Sequence, residues 1–597
     1  MLDPRIYRAA LVPILFALIV VAFSLADRPR PIGTTLAPDA FTDSRASATL
    51  DQLAAAFPSR RAGDAGDAAL AAKVAADLRG MRSYQVSTPS FDGETADGTR
   101  RLTTVLARQV GQPGPELVVV AHRDALGRGA RAELSGTAVM LELARVVSGG
   151  QLRRTITFVS TSGGSAGLAG ARDLVHRLTG PIDAVIVLGD VGGRALRRPL
   201  VTGWSTGDGA APLQLRRTVE AAVRAESGVN PGGTRALAQF ARLAFPVTVG
   251  EQGPLVAGGL PAVLLSAGGE RPPSAHARVR SSRMLAVGRA TLRTLTALDN
   301  AGDLRDGPMR DLVTMRKVLP GWAVRLLVAA LLIAPLLATV DGLARVRRRH
   351  EPVAPSVWRI VTGAGVLAVA LAFAWLLGLT GLLPSAPPEP VAVGAVPLQS
   401  TGLAALAAAT LVAVLAWLAL RPWVLRRVGA QPRGARASGA RASGEGSGIA
   451  LLVLWCAVAV VLWLRNPYAA ALLVPGAHVL LAVVAPGVRL RRPLALGLVA
   501  LAALPFLLVD LSIAAQLGLG PVDFVWMCAL LVAGGVVGPF GWVAWSLVVA
   551  CLVAAVALAL RPKPAPAAPG EPRVTVRGPL SYAGPGSLGG TDSALRR

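Results

Sequence analysis

The stretch Glu116-Leu-Val-Val-Val-Ala-His122-Arg-Asp124 decides the reading of the fold. Five apolar residues in succession, three of them β-branched, fit a strand buried on both faces. The run ends on a histidine and an aspartate two residues apart, and in open α/β sheets functional groups gather at the carboxyl ends of strands. A histidine whose second ring nitrogen is held by a carboxylate makes an oriented metal ligand. Taken alone, His-x-Asp after a strand more often marks a structural hydrogen-bonded pair.

Similar runs lie on either side. Thr155–Ser160, Ala184–Leu188 and Ala262–Ser266 read as buried strands, and Gly136–Val147, Leu168–Leu178 and Met284–Leu298 as amphipathic helices. Strand and helix taking turns predicts an α/β domain over 27–318, three-layered, with a mostly parallel sheet between helices.

Beyond this domain the composition changes. Of the 597 residues 53% are hydrophobic, and the mean hydropathy of +0.52 is too high for one soluble domain of this size. Ala9–Ala26 is an uncharged apolar run behind Arg5 and Arg8, long enough to cross a bilayer core of about 30 Å. It exceeds the usual apolar length of a signal peptide, and residues 1–26 read as an uncleaved anchor. Residues 319–560 hold further apolar segments near Trp322–Val340, Ile360–Leu383, Leu403–Leu420, Ile449–Leu464, Tyr468–Ala485, Leu494–Ala515, Val522–Val537 and Phe540–Leu560, an all-α bundle. With the anchor, nine spans are expected. Arginines cluster at 345–349, 421–427 and 489–492, each time after an even-numbered span, which places those loops in the cytoplasm and residues 27–318 outside it, in a multi-pass cell-membrane protein. Nine spans leave a conflict at the basic tail, 561–597, resolved if the last two segments form a hairpin or if the tail is exported. The tandem Gly-Ala-Arg-Ala-Ser within 431–448 reads as a flexible spacer.

The charge is lopsided, with 61 Lys+Arg against 35 Asp+Glu. Lysine occurs only at positions 73, 317 and 563, so the excess is almost wholly arginine, in an Ala/Arg/Gly/Pro-rich composition that reads as high-GC bacterial coding. No nucleic-acid partner is expected from it. The three cysteines, Cys456, Cys528 and Cys551, all lie in apolar segments and supply neither a disulfide framework nor a zinc site.

From Ala48 to Leu298 the order of features resembles the bacterial di-zinc aminopeptidase family, whose relatives include carboxypeptidase-Q-like enzymes. The residues that carry the likeness are Leu53–Gly63, Leu102–Gly111, Val118–Asp124, the helix start at Ser135-Gly-Thr-Ala, Gly167-Leu-Ala-Gly-Ala-Arg, Val187-Leu-Gly-Asp190-Val-Gly-Gly, Gly258-Gly-Leu-Pro-Ala and His276 ahead of a last helix. The layout of anchor, peptidase-like domain and multi-span bundle is similar to the attachment subunit of the glycosylphosphatidylinositol transamidase.

The resemblance implies a two-cation site with a bridging carboxylate and a general base. Position by position, His122, Asp190 and His276 resemble three of the five ligands, and Asp124 resembles the carboxylate that supports the first histidine. The bridging aspartate falls at Ala132, and the general base and a further ligand fall at Gly164 and Ser165. One cation then keeps His122 and Asp190 and the other His276 alone, below the three or four protein ligands that zinc usually takes. No bound cofactor is expected, zinc being the ion that the resemblance would supply. Glu133, one residue from the bridging position, is the nearest substitute carboxylate, and Arg131 beside it would oppose a cation. Glu251 is placed near the cleft mouth.

His176 and His350 read as surface residues. His478 and Asp510 lie within apolar segments, where ionisable groups are costly, and Pro475-Gly476 and Pro505 nearby are able to break those helices around a polar pocket. The sequence thus predicts a membrane protein with a catalytically degenerate domain that binds a peptide, a glycolipid-linked ligand or a complex partner. The alternatives are a working metallopeptidase with a rearranged site and a transporter-like bundle.

Overall fold

The computed structural model describes residues 4–232, 235–302, 309–314, 316–383, 387–430, 444–485 and 490–560. Arg489, most of the Gly-Ala-Arg-Ala-Ser spacer and the tail 561–597 lie outside the described residues. The sheet contains β1 (Gln85–Ser87), β2 (Val105–Gln109), β3 (Glu116–His122), β4 (Ile156–Thr161), β5 (Ile182–Leu188), β6 (Leu200–Thr202) and β7 (Ala262–Ser266), in the spatial order β1-β2-β4-β3-β5-β7-β6. Only the central four strands, β4, β3, β5 and β7, run parallel. β1 and β2 on one side and β6 on the other are antiparallel to their neighbours. The sheet is therefore mixed, which corrects the expectation of a mostly parallel one. Short edge strands such as β1 and β6, three residues each, carry no long apolar run by which the sequence could announce them.

The core follows from the strand residues: Leu117 to Ala121 are fully buried. Helices α2 (Asp43–Ala56), α4 (Ser135–Val147) and α9 (Ser281–Asp299) pack together, and α4 and α9 rest on β3. α5 (Ala169–Arg177) packs on α8 (Gln252–Ala257), which rests on β7. Two further helices before α4 and α8 matter below: α3 (Ala65–Gly80) and α7 (Ala236–Ala244), with α6 (Leu213–Ser227) against α9. α6 ends where Gly228 adopts a left-handed φ of +70° and donates its N–H to the Arg224 carbonyl, a conformation that glycine adopts without Cβ strain.

The remaining helices are α1 (Pro4–Ser24), α10 (Gly321–Arg348), α11 (Ala354–Leu379), α12 (Ser400–Leu415), α13 (Arg421–Arg427), α14 (Gly444–Arg465), α15 (Pro467–Ala471), α16 (Leu473–Val484), α17 (Arg492–Leu517), α18 (Pro521–Ala533) and α19 (Pro539–Leu560). α1 lies against α10, and just beyond their ends Ala26–Asp27 pairs with Lys317–Val318, so the chain enters and leaves the sheet region at one place.

Eight helical stretches among the described residues are long and apolar enough to cross a membrane, where nine were expected. The difference is α18, whose 13 residues span only about 20 Å at 1.5 Å per residue. Pro475-Gly476 does not open a polar pocket. A side chain at 476 would collide with the Trp455 indole, whose Nε1 donates to the Leu473 carbonyl at 2.9 Å, so the glycine serves close helix packing. Pro505 sits inside a continuous α17. His478 meets the Leu331 carbonyl through Nε2 at 3.0 Å, and no hydrogen bond among the described residues joins it to Asp510.

Bundle and sheet region touch at a consistent set of helix ends. Asn466, between α14 and α15, donates to the Leu243 carbonyl at 2.8 Å and caps α15 through its side-chain oxygen. Gln516 near the end of α17 accepts from Arg242 of α7 at 3.0 Å. Phe245 stacks on Trp545 near the start of α19, and Pro387, between α11 and α12, lies against Gly167.

Candidate functional site

The strand end that carries His122 and Asp124 is fixed from behind. The fully buried Arg123 guanidinium pairs with Asp67 of α3 at 2.9 Å and donates to the carbonyls of Ser160 and Thr103. Thr137 of α4 donates to the His122 carbonyl at 2.8 Å.

Asp124 does not face His122 as a supporting group. One carboxylate oxygen accepts the Gly164 N–H at 3.0 Å and the other accepts the Ser165 N–H at 3.1 Å together with the Ser165 hydroxyl. The expected role of Asp124 in orienting His122 is thus replaced by a role in holding the 163–168 loop. That loop is tightly wound: Gly163, Gly167 and the buried Leu168 all have positive φ, and Leu168, at +57°, is strained because of its Cβ.

The carboxylate facing His122 is Glu251, at the start of α8. Its Oε2 lies 3.5 Å from His122 Nδ1, and its Oε1 accepts from the Thr161 hydroxyl at 2.6 Å. Glu251 is 3% exposed, so it stands inside the cleft and not at its mouth. Burial opposes protonation of His122, but the Glu251 hydrogen bond and charge, with Asp124 and Glu133, outweigh it and push the imidazole up to about 9. Glu133, in the short turn Arg131–Leu134, is buried, and desolvation lifts its carboxyl to about 8. Arg131 itself is exposed and paired with Asp51, so its charge is met by a surface carboxylate and the opposition to a cation in the cleft expected of it is weakened.

Asp190 follows β5. Its Oδ1 accepts from Gly193 N at 2.7 Å, Gly192 N at 3.2 Å and the Ser135 hydroxyl at 3.2 Å, while burial raises the group to about 6. The carboxylate fits only because positions 193 and 268 are glycine, since a Cβ at either would overlap it. His276 is exposed on the loop after β7 and makes no hydrogen bond or ion pair among the described residues.

His122, Gly164, Asp190, Glu251, Glu270 and Arg271 line a cavity of about 30 Å³, room for roughly one water. His122 Nε2, Asp190 Oδ2 and both Glu133 oxygens are buried without a hydrogen-bond partner among the described residues. Even so, no three His, Cys, Asp or Glu among the described residues are grouped so as to hold a metal ion. The residues present do not fit a two-cation centre. Position 132 is an alanine, position 164 has no side chain, Ser165 is bound to Asp124, and His276 stands apart. A side chain at 164 would begin 2.5 Å from His122 Cβ and 3.0 Å from Glu251 Cδ, so the space for the expected base is already filled. Thr161, which anchors Glu251, carries no motif that singles it out, and Ser165 stands out in the sequence only as the occupant of an implied ligand position, not as the partner of Asp124. Glu251 was marked only by its place before the Gly-Leu-Pro-Ala strand.

Residues 104–231 match peptidase family M28. The stretch runs from β2 through α6 and defines an M28 peptidase-like domain. A comparison with curated proteins gives no match. Among solved structures, this chain is similar to the LapA aminopeptidase of Legionella pneumophila (16% identity, TM-score 0.36, covering 45% of this chain and 73% of that one). It is similar to BSAP, a zinc aminopeptidase from Bacillus subtilis (13%, TM-score 0.35, 44% and 99%). It is also similar to the glutaminyl cyclase of Porphyromonas gingivalis (18%, TM-score 0.32, 43% and 99%).

Proposed function

We propose that this chain is a multi-pass cell-membrane protein whose M28-like domain, outside the cytoplasm, binds a ligand or a complex partner and has lost hydrolysis. One observation carries the reading: His122 and Glu251 together fill the space at Gly164, while Ser165 and Asp124 are bound to each other. A hydrolase of this type needs a free base and a complete cation site at that place.

The membrane placement is supported by the helix count. With eight spans, the basic clusters 345–349, 421–427 and 491–492 and the basic tail all follow even-numbered spans, and the conflict left by nine spans disappears. The same count puts every bundle segment that touches the sheet region, at Pro387, Asn466, Gln516 and Trp545, at the outer end of its span.

A second reading is favoured by the unpartnered atoms of His122, Glu133 and Asp190, which suit a hydrolase with a rearranged site. Purified full-length protein assayed against amino-acid amides and short peptides, with and without chelator, decides between the two. No cleavage is expected. Chelator-sensitive cleavage abolished by His122→Ala would establish the second reading.

A further inference from the structure

Three loops leave the carboxyl ends of three adjacent parallel strands: 123–130 after β3, 189–199 after β5 and 267–280 after β7. In this rim the first loop packs on the third, Gly127 lying against Ala275, and the second and third are joined by hydrogen bonds. Leu196 N–H donates to the Ala267 carbonyl at 3.2 Å, Arg280 N–H to the Gly192 carbonyl at 2.9 Å, and Arg283 to the Gly193 carbonyl at 2.7 Å.

This rim carries Arg128, Arg194, Arg197, Arg198, Arg278 and Arg280, all exposed, and none forms an ion pair among the described residues. Elsewhere on the sheet region Arg101 pairs with Asp92, Arg131 with Asp51 and Arg310 with Asp208, and exposed arginines without such a partner among the described residues, Arg79, Arg82, Arg100, Arg153 and Arg224 among them, lie on other segments than these three loops. On the rim the carboxylates are turned inward. Asp124 and Asp190 are buried in the cleft, and Glu270 is buried against Arg242 at 2.9 Å.

The positive end of the α9 dipole opens onto the same rim and adds to its field. Arg283, in the first turn of α9, is lowered from its ordinary value by burial and by the charges of Arg280 and Arg194. Like charges are thus gathered here without protein counterions.

The rim also has a definite neighbour. Arg271 lies against Gly518, the residue that terminates the 26-residue apolar α17. Under the membrane placement proposed above, on which this inference rests, the loop after β7 stands at this contact where a membrane-spanning helix ends, which is where phosphate headgroups lie.

We propose that the arginine rim formed by the loops after β3, β5 and β7 binds the headgroups of anionic phospholipid. This surface is the outer edge of the His122–Glu251 cleft, whose cavity the loop after β7 also lines through Glu270 and Arg271, and headgroup binding there needs no hydrolysis. Each phosphate would meet guanidinium forks suited to bidentate hydrogen bonding.

The test uses full-length protein in a non-ionic detergent, titrated with fluorescent phosphatidylglycerol, with phosphatidylcholine and inorganic phosphate as competitors. The rim variant combines Arg194→Gln, Arg197→Gln, Arg198→Gln, Arg278→Gln and Arg280→Gln. A control removes the same charge from exposed positions elsewhere, through Arg79→Gln, Arg82→Gln, Arg100→Gln, Arg153→Gln and Arg224→Gln. The expected result is salt-sensitive binding, weakened at least tenfold in the rim variant and less than twofold in the control, with unchanged thermal unfolding in both. Equal affinities of the two variants would overturn the proposal, as would displacement by phosphatidylcholine or by inorganic phosphate at matching concentration. Peptidase activity is not read in this experiment, so its outcome is independent of the loss of hydrolysis.

Discussion

The carboxyl carbon of Glu251 lies 3.0 Å from the point that a β-carbon on Gly164 would occupy. A carboxylate delivered from α8 has taken the space in which a side chain following β4 would sit, and it holds His122 by Nδ1. A side chain at 164 would overlap His122 first, at 2.5 Å from its Cβ, and would press on this carboxylate as well.

Gly164→Ala is therefore expected to destabilise the protein by about 1–3 kcal/mol, the usual cost of overpacking a filled interior. The nearest atoms to that β-carbon are His122 Cβ at 2.5 Å and Cγ at 2.7 Å, so Glu251→Gly in the same chain relieves only the mildest contact, and the double variant should stay less stable than Glu251→Gly alone. Thermal unfolding of the four proteins in detergent measures this, and full recovery in the double variant would contradict the packing of position 164 against His122.

Ser165→Ala removes a buried hydroxyl from the Asp124 carboxylate and leaves that oxygen with the backbone N–H alone. A loss of about 1–3 kcal/mol is expected for a buried charged acceptor that loses a donor. Ser165→Thr, which keeps the hydroxyl, should recover part of it.

His122 titrates near 9 in the folded chain against an ordinary 6.5. Its raised value means that the imidazolium contributes stability fully below about pH 6.5 and loses that contribution as pH rises through 9. Glu133, raised to about 8 from 4.5, also disfavours the folded state as pH rises between those values. Unfolding temperature should fall from pH 6.5 to 9, and Glu251→Gln should flatten the fall because it removes the main group that holds the proton on His122.

Much of this fold was legible because burial on both faces writes itself as an unbroken apolar run. Leu117–Ala121 and Ala262–Ser266 lie within strands of the structure for that reason. The antiparallel edges were not legible: Gln85–Ser87 and Leu200–Thr202 have three residues each, and their direction depends on loop paths with no periodic signal. The same holds for α18, where an apolar run continued past the helix end at Ala533 into a turn at Gly534 and Gly535. In the cleft, the residue types at 132, 164 and 165 could be read directly. That Asp124 turns to the loop and Glu251 to the histidine could not, because side-chain pairing across 40 residues or more leaves no spacing to count.

Asn466 makes four hydrogen bonds where bundle and sheet region meet, two as donor to Leu243 and Ala244 and two as cap acceptor for Tyr468 and Ala469. Asn466→Ala should cost about 1–2 kcal/mol through the cap alone. Limited proteolysis should cut faster in the α7 region of this variant than in the parent, and equal rates would show that the contact does not hold the two parts together.

The most direct measurement is the zinc content of purified full-length protein by elemental analysis after equilibration with zinc and removal of the free ion, with His122→Ala in parallel. Less than one tenth of an equivalent in both proteins is the expected result, since Ala132, Gly164 and Ser165 leave the cation positions without their ligands. One or more equivalents in the parent, lost in His122→Ala, would contradict the account and restore a metallopeptidase.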